Sequence, residues 1–235
     1  MGDLTTYQVN GITLACEAEG PAGGPPLLLL HALGEDRTSW RAVTAGLAAD
    51  GWRTLAVDLR GHGESGHPGS YLFEEMRDDV LALLDALDLA EVTVVAHSMG
   101  TVVASLVAMD RPAAVRRLVL EEGPLPFPAD PPRPVPTAPD GPTPYDWRVV
   151  PAIARQRNAP PSRHWTGLAA ITAPTLIVAG GPTSHLDQRD LARVAARIPD
   201  ARLITIDAGH MIHDERPADF LAAVRAFLGE PPRMA

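Results

Sequence analysis

This sequence predicts an α/β fold, a mostly parallel central sheet flanked by helices, on three observations. Short continuous apolar runs alternate with longer helical patterns along most of the chain, as strands and helices do in a layered α/β domain. The runs lack the apolar/polar alternation of a half-exposed sheet, so they fit strands buried on both faces. One of them, Val94-Val95-Ala96, runs through His97-Ser98-Met99-Gly100 directly into a helical pattern.

The elements follow in order. Strand candidates at 5–9 and 12–17 are joined by Asn10-Gly11, a tight hairpin signal, so the sheet is expected to open with antiparallel strands. Further strands are expected at 26–31, 54–57, 92–96, 118–120, 174–178 and 203–206, and helices at 40–49, 73–89, 99–109, 188–198 and 217–228. Within 73–89, Met76, Val80, Leu83, Leu84 and Leu87 recur at three- and four-residue spacing, which places them on one helix face toward the sheet. The alternation breaks once. Residues 124–161 hold thirteen of the chain's 24 prolines, a density that forbids regular helix or sheet over most of the span. Trp147, Val149, Val150, Ile153 and Trp165 supply apolar anchors that a free linker would lack. A short Pro-rich cap over the carboxyl edge of the sheet is therefore expected at 123–167, inserted into a core of 1–122 and 168–235.

Composition narrows the function. With 235 residues, 46% apolar and 21% charged, the chain is long enough for one globular domain with a substantial core. Its 20 basic and 29 acidic residues leave a net charge of −9, which repels phosphate backbones and anionic bilayers, so neither nucleic acid nor membrane is an expected partner. All the basic residues are arginine. Cys16 is the single cysteine; it cannot form an internal disulfide, and a small apolar strand residue is its expected role. The first residues form no basic segment followed by an apolar stretch, and no run approaches the ~18 apolar residues of a membrane span. A cytoplasmic protein is expected. Neither an internal repeat nor a signal for oligomeric state is visible.

The chemistry centres on Ser98. A serine on a sharp turn between a buried strand and a helix has its hydroxyl lifted clear of the sheet above a helix N-terminus, the geometry of a nucleophile elbow. Such a turn needs small residues two before and two after the serine. Gly100 meets that need, and Ala96 adds one methyl where glycine is commoner.

With these residues the chain resembles the α/β-hydrolase superfamily over nearly its whole length. His31-Ala32-Leu33-Gly34 is similar to the superfamily's His-Gly-x-Gly oxyanion loop, with Ala32 in place of the first glycine. Asp58-Leu59-Arg60-Gly61-His62-Gly63-Glu64-Ser65 looks like its Asp-x-Arg-Gly-x-Gly-x-Ser turn, and Ala208-Gly209-His210 like the loop that carries its catalytic histidine. The resemblance implies Ser98 as nucleophile, His210 as base, and the backbone N–H groups of Met99 and Leu33 as the oxyanion hole. Because the nucleophile is serine, it argues against the dehalogenase and epoxide-hydrolase branches, which use aspartate.

The acid departs from the family pattern. Members usually carry an aspartate shortly after the next-to-last strand, but here Gly180-Gly181-Pro182-Thr183-Ser184-His185 follows, and the first carboxylate is Asp187, a helix-cap candidate. Some members place the acid at the end of the preceding strand, which here ends in Glu121-Glu122. That alignment puts Glu122 in the acid position, with Glu121 and Asp187 as alternatives. Strand alternation sends neighbouring side chains to opposite sides, so at most one of the pair should face His210. Glu122 is expected within about 3.2 Å of the histidine Nδ1, whereas Glu121→Gln should be nearly silent. His31, Trp147 and His185 are the expected substrate-binding residues.

No cofactor or metal is expected. Gly61-His62-Gly63-Glu64-Ser65-Gly66 satisfies a dinucleotide-binding G-x-G-x-x-G string, but a dinucleotide loop must open a helix directly, and the helical pattern here starts only near Phe73. His210, His213 and Asp214 cluster in sequence without a second ligand group. The expected activity is hydrolysis of a small-molecule carboxylic ester or lactone through an acyl-enzyme. The alternative is a scaffold kept for lyase, cyclase or ligand-binding work, which the missing acid after the next-to-last strand favours.

Overall fold

Asn10 and Gly11 both take left-handed backbone, with φ of +47° and +77°, as a two-residue hairpin turn requires. They join β1 (Asp3–Val9) to β2 (Ile12–Glu19), with Val9 opposite Ile12. The computed structural model describes residues 2–123, 127–128 and 130–230. β3 (Pro26–Leu30), β4 (Arg53–Val57), β5 (Val92–His97), β6 (Val115–Glu121), β7 (Thr175–Ala179) and β8 (Ala201–Thr205) complete a sheet of eight strands among the described residues, in the order β1-β2-β4-β3-β5-β6-β7-β8. From β4 to β8 every pairing is parallel, and β2 meets β4 antiparallel.

Continuous apolar runs suit this sheet because helices cover both faces. Leu28, Leu30, Val94 and Ala96 point to one side, where α2 (Phe73–Ala86) and α3 (Met99–Asp110) bring Met76, Val80, Leu83, Leu84 and Val103. Leu27, Leu29, Val95 and Val119 point to the other, toward Val43 and Leu47 of α1 (Arg41–Ala49) and Phe220 and Val224 of α8 (Pro217–Leu228). Burying each such side chain contributes about 1.5–3 kcal/mol. The outermost strand differs: β8 pairs on one side only and leaves Leu203 38% exposed, so its run is not the doubly buried strand that its composition implies.

Between β6 and β7 lies the proline-rich stretch. It is not irregular throughout, because α4 (Val149–Asn158) forms inside it, followed by α5 (Ser162–Thr166). Pro151 sits in the first turn of α4, where a missing N–H breaks no helical bond. Val149 and Ile153 enter the core, Tyr71 Oη donates to Asp146 Oδ2 at 2.5 Å, and Gln156 Oε1 accepts from Phe73 N at 2.9 Å. These contacts fasten the segment to the start of α2. Residues 124–126 and 129 of the expected cap lie outside the described residues. The remaining helices, α6 (Gln188–Arg197) and α7 (Ile212–Glu215), flank β8 in sequence, and no described helix is long and apolar enough to cross a membrane.

Candidate active site

β5 ends at His97, and Ser98 follows with φ +47° and ψ −112° before α3 begins at Met99. A non-glycine residue in that region is strained. The turn is held from both sides: Ser98 N donates to Glu121 O at 2.9 Å, and Thr101 Oγ1 donates to Ser98 O at 2.6 Å. Gly100 is required by contact, since a Cβ there would lie 2.5 Å from Leu30 O and 2.8 Å from His31 O. This close approach sets α3 against the loop after β3. Among the described residues no protein acceptor takes the amides of Leu33 or Met99, so both N–H groups are left unpaired.

Glu122 stands one residue past β6 with φ +48°. That left-handed kink turns its side chain toward the loop after β7. Glu122 Oε2 lies 3.2 Å from His210 Nδ1 and accepts from Ser184 Oγ; Oε1 accepts from Gly180 N at 2.6 Å and Gln188 Nε2 at 3.3 Å. Burial alone would raise the Glu122 pKa, but the bonds from His210, Ser184, Gly180 and Gln188 outweigh it and hold the carboxyl below its ordinary value. The loop that lacks an acid thus supplies donors to a carboxylate arriving from the neighbouring strand. Its fit against the His210 loop is tight: Ala208 N and Gly209 N donate to Gly180 O at 3.1 and 2.9 Å, and a Cβ on Gly180 would meet Gly209 O at 1.8 Å.

An imidazole whose Nδ1 is bound to a carboxylate presents Nε2 as the proton acceptor. His210 is so arranged, with the His185 ring 4.2 Å from its own between centroids. Among the described residues no hydrogen bond joins Ser98 Oγ to His210, and such bonds commonly tighten only when substrate arrives. Asp187 is exposed, accepts from Arg189 N and caps α6, away from His210.

Glu121 does not face His210, as alternation predicts, but it is engaged by a different histidine. Fully buried, it accepts from His213 N at 2.9 Å and contacts His213 Nδ1 at 2.8 Å, while the His213 ring stacks on Trp40 with centroids 4.2 Å apart. His97 donates from Nε2 to His210 O at 2.9 Å and faces Glu35 Oε2 through Nδ1 at 3.5 Å, an ion-pair contact longer than a hydrogen bond. Burial works against both charges, yet His97 is raised, Glu121 and Glu35 being its anionic neighbours, and Glu35 is held down at about 2 by His97 and the Ala32 amide. His97 therefore braces the backbone of the residue that Glu122 orients. Glu35, His97 and His213 are the metal-ligating types that converge among the described residues. The sequence cluster of His210, His213 and Asp214 does not converge, since His210 and His213 turn to different glutamates.

His31 is fully buried, Nδ1 donating to Ala32 O at 2.7 Å and Nε2 accepting from Leu59 N at 2.9 Å. With both nitrogens engaged on the backbone it fixes the loop after β3 and offers no free ring nitrogen to a substrate, a correction to its expected role. Trp147 is half-buried and stacks on Tyr145, whose ring in turn lies 5.7 Å from that of His62. The glycine turn is filled by its own carboxylate: Asp58 accepts from Arg37 N at 2.7 Å and Glu64 N at 2.8 Å, and a Cβ on Gly63 would lie 2.2 Å from Asp58 Oδ2. Burial, with His31 beside it, pushes the His62 pKa down to about 3, and its neutral Nε2 accepts from Gly34 N at 3.2 Å.

Residues 25–143 match the family described as the alpha/beta hydrolase fold. The chain is 27% identical to the mouse sn-1-specific diacylglycerol lipase ABHD11, over 89% of this chain and 83% of that one. It is 36% identical to Epoxide hydrolase 2 of Siraitia grosvenorii over 49% of this chain, spanning 37% of that relative's length. Among solved structures, a hydrolase from Pseudomonas aeruginosa PA01 superposes with a TM-score of 0.84 at 28% identity, covering 97% of this chain and 99% of that one.

Proposed function

The chain belongs to the α/β-hydrolase family, and from that premise we propose that it cleaves a carboxylic ester or lactone through an acyl-enzyme on Ser98. The carrying observation is the Glu122–His210 contact at 3.2 Å beside a serine held on a strained elbow. In this reading Ser98 Oγ attacks the carbonyl carbon while His210 Nε2 takes its proton, and Glu122 stabilises the imidazolium that forms. The negative charge moves to the carbonyl oxygen, facing the amides of Met99 and Leu33; such donors are typically worth several kcal/mol of barrier. His210 returns the proton to the leaving alkoxide, and a water activated by the same ring releases the acid. The lipase named among the relatives supports ester chemistry.

The test pairs turnover of p-nitrophenyl butyrate with labelling by a fluorophosphonate. Hydrolysis together with stoichiometric labelling at Ser98, both lost in Ser98→Ala, is expected. Failure of both in folded protein would favour the non-hydrolytic alternative.

A further inference from the structure

Enclosed arginines on this chain are answered by carboxylates, Arg37 by Asp58 and Arg60 by Asp79. Arg157 departs from that pattern. Its Nε is shut away from solvent with no acceptor, and among the described residues its guanidinium meets no carboxylate. Burial, then the charge of Arg133, push it below the ordinary arginine value. An arginine cannot shed its proton to escape such a position. Leaving a half-buried cation unanswered is costly, and it is the more notable in a protein with net charge −9.

Arg133 is held beside it by a reciprocal pair of bonds, Arg133 N to Asn158 Oδ1 at 3.0 Å and Asn158 Nδ2 to Arg133 O at 2.8 Å. Both arginines line an open cavity of about 140 Å³ whose apolar wall includes Val150 and Ile153 of α4 and Leu33 of the loop after β3. Through Leu33 the cavity reaches the loop whose amide is one of the two candidate oxyanion donors. Toward the candidate base, His185 is pushed down by burial, then by His210 and by Arg157, so the cationic field extends to the ring that packs on His210.

We propose that this cavity is an anion subsite of the active site, where Arg157 and Arg133 hold a carboxylate or phosphate carried by the substrate at a distance from its reacting carbonyl. The inference rests on the ester-hydrolase reading above. A planar guanidinium matches either anion with paired N–H donors, and the apolar wall suits the methylene chain between the charge and the carbonyl. A local cationic patch also attracts an anionic substrate that the overall charge would repel.

The experiment compares p-nitrophenyl pentanoate with the mono-p-nitrophenyl esters of glutarate and adipate, in wild type, Arg157→Gln and Arg133→Gln. A charged ester should be preferred at least tenfold in kcat/KM at low salt, and the preference should shrink as salt screens it. In either variant the charged-to-neutral ratio should fall about tenfold or more, chiefly through KM, the loss expected for a charge-assisted hydrogen bond. Calorimetric titration with glutarate and with glycerol phosphate reads the same subsite without turnover and separates the two anion sources; the favoured anion should bind at least tenfold more weakly to the variants. Equal use of neutral and charged esters, or ratios unchanged in both folded variants, would overturn the subsite and leave the hydrolase standing. Absence of any ester turnover and of Ser98 labelling would instead count against the hydrolase, and anion binding by neither probe would overturn the subsite on its own.

Discussion

Replacing Glu122 by glutamine keeps shape and removes one charge, and the hydrogen-bond pattern fixes which way the amide must face. Gly180 N and Gln188 Nε2 both donate to Oε1, so the amide oxygen has to occupy that position. The amide nitrogen then takes the place of Oε2 against His210 Nδ1 and Ser184 Oγ. An N–H donor there forces Nδ1 to accept, which puts the ring proton on Nε2 and leaves nothing to receive the proton of Ser98. Combined with the lost stabilisation of imidazolium, this wrong tautomer should lower kcat by roughly 10² to 10⁴, about 3–5 kcal/mol of barrier. Stability should change little, since Ser184 can reverse its hydroxyl and accept. The assay is p-nitrophenyl butyrate turnover alongside thermal unfolding. A folded Glu122→Gln protein that retains a third or more of wild-type activity would refute the role.

Adding Ser184→Asp to Glu122→Gln should recover at least tenfold of the lost kcat, because a carboxylate would return beside His210 from the loop where the family usually carries it; no recovery would mean the loop cannot present an acid there. Glu121→Gln should cost about 2–3 kcal/mol by weakening the buried contact to His213, seen as a fall of several degrees in Tm; an unchanged Tm would mean that the contact contributes nothing to stability. Glu35 titrates at about 2 when folded against an ordinary 4.5. Its contribution, about 3 kcal/mol at roughly 1.4 per decade, is present at neutral pH and lost as pH falls from about 5 toward 2. Denaturant titrations of Glu35→Gln should therefore show a shallower loss of stability over that window, and an unaltered slope would contradict it. Gly100→Ala should displace the loop after β3 and depress kcat/KM, because the new methyl would sit 2.5 Å from Leu30 O; full activity would mean the elbow has slack.

Most of the sheet was legible because apolar runs and turn residues act locally. The Asn10-Gly11 hairpin, the Val92–His97 strand and the start of α3 follow from backbone preferences that no distant contact overrides. The geometry of Glu122 was legible only in outline. Alternation separates Glu121 from Glu122 inside a strand, but the strand ends at Glu121 and a left-handed residue follows, so both carboxylates turn inward, each to a histidine of its own. No local pattern announces that Trp40 and Glu121 enclose His213, or that His31 spends both nitrogens on backbone. The pairings of His213 with Glu121 and of His31 with Leu59 join residues far apart in sequence, and composition carries no trace of them. The helix α4 was hidden for a different reason: proline density argues against helix on average, yet one proline in the first turn costs nothing.

The most direct test of the central claim is to quench the enzyme with acid during turnover of p-nitrophenyl butyrate and map the butyryl group by peptide mass spectrometry. The mechanism predicts an adduct on Ser98 in the wild type and none in Ser98→Ala, which should also be inactive. Turnover with no adduct at Ser98, or undiminished hydrolysis by a folded Ser98→Ala protein, would contradict it.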